Sequence, residues 1–122
     1  MVDSHVSRAL AAMKREPARR WTVAALAREA GLSRAPFARR FERATGVPPL
    51  KYLTGLRLRA AATRLVASDA RLAEIAADVG YATEFSFAKA FKRAYGIAPG
   101  VFRRRAWGLS GALTVTSLAR AA

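Results

Sequence analysis

Arg39 and Lys89 stand at matching positions of two copies of one sequence pattern. A long cation presented by a helix to the major groove suits the O6 and N7 acceptors of guanine. Beside Arg39, the small side chains of Ala35 and Ala38 allow the backbone to come close to bases, and an alanine methyl can touch the methyl of thymine. Glu84 and Ser86 fall in the first turn of the second such helix, where groove-facing residues lie, and a glutamate accepts from cytosine N4. Glu84 has a second reading as a favourable negative charge at a helix N-terminus. Two readings also stand for Phe85: contact with a thymine methyl, or packing back on the preceding helix. Pro36 belongs to the corresponding first turn of the first copy. Arg34, Arg40, Arg43, Lys92 and Arg93 suit phosphate oxygens, contacts that set affinity and register without selecting sequence. Arg103 to Arg105 either extend that set or form a solvated basic run.

The elements that must position these residues are visible in the repeat. VAALAREAGLSRAPFARRFERATGVPPLKY, Val23 to Tyr52, recurs as LAEIAADVGYATEFSFAKAFKRAYGIAPGVF, Leu72 to Phe102. Ala24, Ala27 and Gly31 return as Ala73, Ala76 and Gly80; Phe37, Ala38, Phe41, Arg43, Ala44, Gly46 and Pro49 return as Phe87, Ala88, Phe91, Arg93, Ala94, Gly96 and Pro99. Each copy reads as two short helices joined at a glycine. Packing two helices across a tight turn requires a small residue at the crossing, which Ala27 and Ala76 supply four positions before their glycines. At 100° per residue, Phe37, Phe41 and Ala44 share one face, as do Phe87, Phe91 and Ala94, and these faces are assigned to the core. The outer faces are left with Ala35, Arg39, Glu42 and Arg43 in one helix and Phe85, Lys89, Lys92 and Arg93 in the other.

Around the repeat, Val6, Leu10 and Met13 mark a first helix that ends before Pro17. Thr22 is the expected N-cap of a helix through Ala30, Gly31 supplies a positive φ at its exit, and Ser33 caps the next helix, Arg34 to Thr45. Pro36 lies in that helix's first turn, where a missing N–H is tolerated. A long helix is expected from Pro49 to Ser68, with Leu50, Leu53, Leu58, Ala61, Ala62 and Leu65 inward and Arg57, Arg59 and Arg64 mostly outward. The second unit follows, with helices near Leu72 to Val79 and Thr83 to Tyr95 and a short one after Pro99. Arg71 matches Thr22 but has no hydroxyl, so Ser68 or Asp69 is the alternative cap. Leu113 to Ser117 reads equally as helix or strand. The resulting organisation is a first subdomain over 6–46, a linker helix over 47–68, a second subdomain over 69–105 and an unassigned tail over 106–122.

Composition narrows the partner. Twenty-two Lys and Arg against 8 Asp and Glu give a net charge of +14 on 122 residues, which favours a polyanion. Nucleic acid comes first and an anionic membrane surface second. The longest uncharged stretch, Ala106 to Ala119, is too short to span a bilayer, so no membrane-spanning segment is expected, and with nucleic acid ranked first no membrane partner is expected. With no cysteine there is neither a disulfide nor a thiolate metal site, and no cofactor is expected; the composition suits the cytoplasm. Catalysis has little to stand on: His5 is the sole histidine, and Glu74 and Asp78 share a helix face with no nucleophile or partner base. A nonspecific basic module that coats nucleic acid is the main alternative. It needs charge, but has no use for paired glycines or duplicated phenylalanine faces.

Two helix-turn-helix units joined by a long helix, the second reading GYATEFSFAKAFKRAYGIAPGVFR, resemble the DNA-binding domain of the AraC/XylS family of bacterial transcription regulators. The resemblance covers about Val6 to Arg104. It implies an all-α domain of about seven helices whose two recognition helices, about 34–45 and 83–95, enter successive major grooves of double-stranded DNA. A linker of about 30 Å agrees with the roughly 34 Å between such grooves. Family members often carry Gln, Ser or Arg where this chain has Ala35, Ala38, Glu84 and Phe85, and the last aromatic of the motif is Phe102 rather than tyrosine, so no operator sequence carries over. Many members hold a separate sensing or dimerising domain, often preceding the DNA-binding one. No such domain fits in this chain, which is either a fragment of a longer regulator or a stand-alone reader, so any small-molecule effector would act elsewhere. A contact with RNA polymerase would be additional to DNA binding.

Overall fold

A computed structural model describes residues 3–108. Among them the elements are seven helices: α1 Ser4–Arg15, α2 Val23–Ala30, α3 Arg34–Thr45, α4 Pro49–Ala67, α5 Leu72–Asp78, α6 Glu84–Tyr95 and α7 Pro99–Gly108. No described residue lies in a strand. The expectation for Leu113 to Ser117 falls outside the described residues.

The chain divides into two units, one ending at Leu56 and the other beginning at Arg57, so the boundary lies within α4. The reason is in its residues. Pro49, Tyr52, Leu53 and Leu56 fall on one stripe of the helix and join the first unit, whereas Leu58, Ala61, Ala62 and Leu65 form a second stripe and join the second unit. The apolar positions change face near residue 57, and each half of α4 is part of its own unit. Leu50, expected inward, is 42% exposed because it lies off the stripe that Pro49 and Leu53 define.

In the first unit Val6, Ala9, Ala12 and Met13 of α1, Leu26, Ala27 and Ala30 of α2, and Phe37 and Phe41 of α3 are buried together with Trp21 and Leu53. Thr22 caps α2 as expected, its hydroxyl accepting from the Ala25 N–H at 3.0 Å. Gly31 adopts φ 76°, and the next N–H, of Leu32, reaches back to the Ala27 carbonyl at 3.0 Å. The left-handed glycine thus turns the chain sharply toward α3. Ser33 occupies the N-cap position of α3, but its side chain makes no capping bond there.

The second unit repeats the plan with α4, α5 and α6 in the places of α1, α2 and α3. Gly80 has φ 105°, and Tyr81 N–H reaches the Ala76 carbonyl at 2.8 Å. Ala27 and Ala76 are both buried at the two crossings. Phe41 meets Tyr52 edge-on at 5.5 Å, and Phe91 meets Phe102 edge-on at 5.2 Å, so the last aromatic of each repeat has the same task. Arg71 occupies the N-cap position of α5 without a side-chain capping bond, and neither Ser68 nor Asp69 replaces it. The Ser68 hydroxyl instead donates to the Arg64 carbonyl at 2.8 Å and serves the end of α4.

Two alanines depart from the expected faces. Ala44 and Ala94 are exposed. The next residue turns in instead: Thr45 donates to the Phe41 carbonyl at 2.9 Å, and Tyr95 stacks on Phe91 at 4.6 Å and on the edge of Phe102. The aromatic arriving from the following helix, Tyr52 or Phe102, covers that side of the last turn rather than the alanine side.

Candidate nucleic-acid interface

The outer faces of α3 and α6 match position by position. Arg34 and Glu84, Ala35 and Phe85, Arg39 and Lys89, Glu42 and Lys92, Arg43 and Arg93 are exposed pairs, while Pro36 and Ser86, Ala38 and Ala88, Arg40 and Ala90 are half-buried pairs along the flanks. Beneath them Phe37, Phe41, Phe87 and Phe91 are fully buried, which holds each helix at a set rotation. Arg34, Arg39 and Arg43 lie on α3, Lys89, Lys92 and Arg93 on α6, and none of these six forms an ion pair among the described residues. Each unit therefore presents unneutralised cations on the face of its second helix.

The faces differ in detail. Phe85 is 74% exposed and does not fold back on α5; Lys89 Nζ lies 5.7 Å from the centre of its ring. An apolar ring and a cation thus stand together, drawn by the ring's negative face. Thr83 caps α6 by accepting from Ser86 N–H at 3.0 Å, and the Ser86 hydroxyl donates to the Thr83 carbonyl at 3.0 Å. Ser86 is therefore occupied by the cap. Glu84, in the first turn of α6, also has the position that favours a negative charge at a helix N-terminus.

Arg40, grouped above with the phosphate ligands, is tied to the start of α1: its Nε donates to Asp3 Oδ2 at 2.9 Å. Arg103 is likewise committed. Its Nε donates to the Leu65 carbonyl at 3.0 Å, its guanidinium lies 5.2 Å from the centre of the Trp107 ring, and Trp107 Nε1 donates to the Val66 carbonyl at 3.0 Å. These bonds satisfy carbonyls that the end of α4 leaves without helical partners. Of the run Arg103 to Arg105, only Arg104 and Arg105 are exposed.

Sequence reasoning passed over several supporting residues. Trp21 is buried and donates from Nε1 to the Glu16 carbonyl at 2.8 Å, with Arg19 stacked 4.2 Å from its ring centre. His5 Nδ1 lies 2.7 Å from the Ala30 carbonyl and 2.9 Å from Arg8 Nη2, which donates to the same carbonyl oxygen at 3.1 Å. In the second unit burial pushes the Tyr81 hydroxyl above its ordinary pKa, with the Arg57 charge working in the opposite sense. Arg57, expected outward, is half-buried, and its own burial lowers its pKa. No group of three or more His, Cys, Asp or Glu able to hold a metal occurs among the described residues, and no described helix is long and apolar enough to cross a membrane.

Two helix-turn-helix units, each exposing a cationic second helix, define the class, and a family model described as a helix-turn-helix domain matches residues 26–105. The chain is 45% identical over 104 residues to a Streptomyces lividans protein named as an AraC-like transcription regulator, covering 85% of this chain and 34% of that protein. It is 46% identical over 89 residues to the RCS-specific transcriptional activator RclR of Escherichia coli, covering 73% of this chain and 31% of that one. Among solved structures, the DNA-binding domain of AdpA in complex with a target DNA superimposes with a TM-score of 0.84 at 26% identity, over 90% of this chain and 99% of that one. The C-terminal domain of AraT, a response regulator from Geobacillus stearothermophilus, does so with a TM-score of 0.79 at 29% identity, over 83% and 84%. The chain belongs to the AraC-type helix-turn-helix DNA-binding domains. It spans about a third of the length of the curated relatives it matches.

Proposed function

We propose that this chain binds double-stranded DNA sequence-specifically in transcription regulation, with α3 and α6 as recognition helices in successive major grooves of an asymmetric site. The observation that carries this reading is the position-by-position match of their outer faces, alike in exposure but unlike in side chain where Arg34, Ala35 and Glu42 stand against Glu84, Phe85 and Lys92. Nonspecific binding would need only the charge. AdpA, whose DNA-binding domain was solved on a target DNA, supports the partner. Arg39 and Lys89 read base edges, Ala35, Ala38 and Phe85 make apolar contact, and Glu84 accepts from a base. Arg34, Arg43, Lys92 and Arg93 bind phosphates; Pro36 and Ser86 shape the first turns. The setting is the cytoplasm, where contact with RNA polymerase would add to DNA binding and an effector would act through a domain outside this chain.

The test compares a duplex selected from a random pool with a shuffled duplex of equal length. Arg39→Ala and Lys89→Ala each weaken the selected duplex by about 1–3 kcal/mol and leave the shuffled one nearly unchanged. Arg43→Ala or Arg93→Ala weakens both and makes the salt slope shallower by about 0.9. Equal losses on both duplexes from Arg39→Ala and Lys89→Ala would remove the base-reading role.

A further inference from the structure

Asp3 performs two tasks at once. Oδ1 accepts from the N–H groups of His5 at 2.9 Å and Val6 at 3.4 Å, capping α1, while Oδ2 accepts from Arg40 Nε in the second turn of α3. From the same end of α1, His5 and Arg8 converge on the Ala30 carbonyl at the end of α2. The first turn of α1 thus grips both helices of the helix-turn-helix, one on each side of the Gly31 turn. The Asp3 and Arg40 side chains are only 22% and 39% exposed, so this pair is less open to screening than a fully solvated one. Partial burial opposes ionisation of Asp3, but the Arg40 hydrogen bond, the Val6 and His5 N–H groups and the Arg40 charge together hold its carboxyl below the usual value.

Among the described residues nothing equivalent exists in the second unit. Aligning the inward stripe Val6, Ala9, Leu10 and Met13 of α1 with Leu58, Ala61, Ala62 and Leu65 of α4 brings Asp3 onto Gly55, and the repeat brings Arg40 onto Ala90. The pair is a property of the first recognition helix alone. Arg39 and Arg40 are consecutive, so anchoring one toward α1 sets the direction in which the other leaves the helix.

We infer that Asp3 is a positioning residue for sequence recognition by α3: it holds Arg40 away from the phosphates and fixes the rotation at which Arg39 meets the bases. This rests on α3 being a recognition helix. Productive recognition demands side chains held by a supporting layer of packing and hydrogen bonds, and a loosened support degrades selectivity before it degrades folding.

Asp3→Asn isolates the effect, because asparagine caps a helix about as well as aspartate but carries no charge for Arg40. With the 122-residue chain, affinity is measured on a duplex selected from a random pool and on its shuffled counterpart, across a salt series. The ratio of the two affinities is expected to fall roughly three- to tenfold, a fraction of what a bidentate base contact supplies, with no loss on the shuffled duplex. Arg40→Met is expected to lower the same ratio and leave the salt slope unchanged. An unchanged ratio in Asp3→Asn, or equal losses on both duplexes, overturns the inference. So does a salt slope shallower by about 0.9 in Arg40→Met, which would make Arg40 a phosphate ligand. Arg39→Ala separates the two readings: if it weakens both duplexes equally, α3 is not a base reader, whatever Asp3 does.

Discussion

Replacing Phe85 with alanine should leave the fold intact and impair DNA binding, the reverse of what the same change does two residues later. Phe85 is 74% exposed, so of the roughly 200 Å² of a phenylalanine side chain about 150 Å² is open to solvent. Covering half of that against a thymine methyl and the neighbouring sugar, at about 25 cal/mol per Å², is worth about 2 kcal/mol, or about 25-fold in affinity. Its truncation removes no core contact, so stability should move by less than about 0.5 kcal/mol. Phe87 is fully buried, and its truncation should cost about 3–5 kcal/mol of stability. Fluorescence anisotropy with a selected duplex measures the first quantity, and urea unfolding followed by circular dichroism measures the second. The ring also sits against Lys89 Nζ, so a Phe85→Ala, Lys89→Ala cycle should show coupling of about 0.5–1 kcal/mol. Unchanged affinity in Phe85→Ala would refute groove contact, and a stability loss above about 1 kcal/mol would show that the ring packs on the protein instead.

Two further outcomes follow from the supporting structure. Gly31→Ala places a Cβ 3.3 Å from the Arg8 guanidinium at φ +76°, and the left-handed backbone alone should cost about 1–2 kcal/mol in urea unfolding; an unchanged midpoint would mean that the turn relaxes to another conformation. Arg103→Met retains an apolar stem but loses the charged donor to the Leu65 carbonyl, so stability should fall by about 1.5–3 kcal/mol while the salt slope of DNA binding stays the same. A slope shallower by about 0.9 would instead place Arg103 on a phosphate.

The elements of this fold were largely legible because their signals are local. Thr22 before an apolar period, Gly31 and Gly80 after it, and prolines beyond Gly46 and Gly96 bound the helices within a residue or two of where they lie. The buried phenylalanines followed from their spacing alone. Partners distant in sequence were not legible. The acceptor of Arg40, Asp3, lies 37 residues away. Arg103 reaches across 38 residues to the end of α4. Periodicity also does not say what covers the final turn of a helix, which is why Thr45 and Tyr95 turn in where Ala44 and Ala94 were expected. Leu50 failed for a related reason: α4 serves two units with two stripes, and one averaged face cannot describe both. Asp3 itself did carry a signal, as an N-cap residue ahead of the first apolar period.

The central claim is that α3 and α6 read two unlike half-sites. Selection of bound duplexes from a fully random pool by the intact chain, followed by sequencing, tests it most directly. Two short enriched blocks of different sequence are expected, with centres about 10 base pairs apart and in one fixed order. A palindromic pair, a single block, or no enrichment above the starting pool would contradict it.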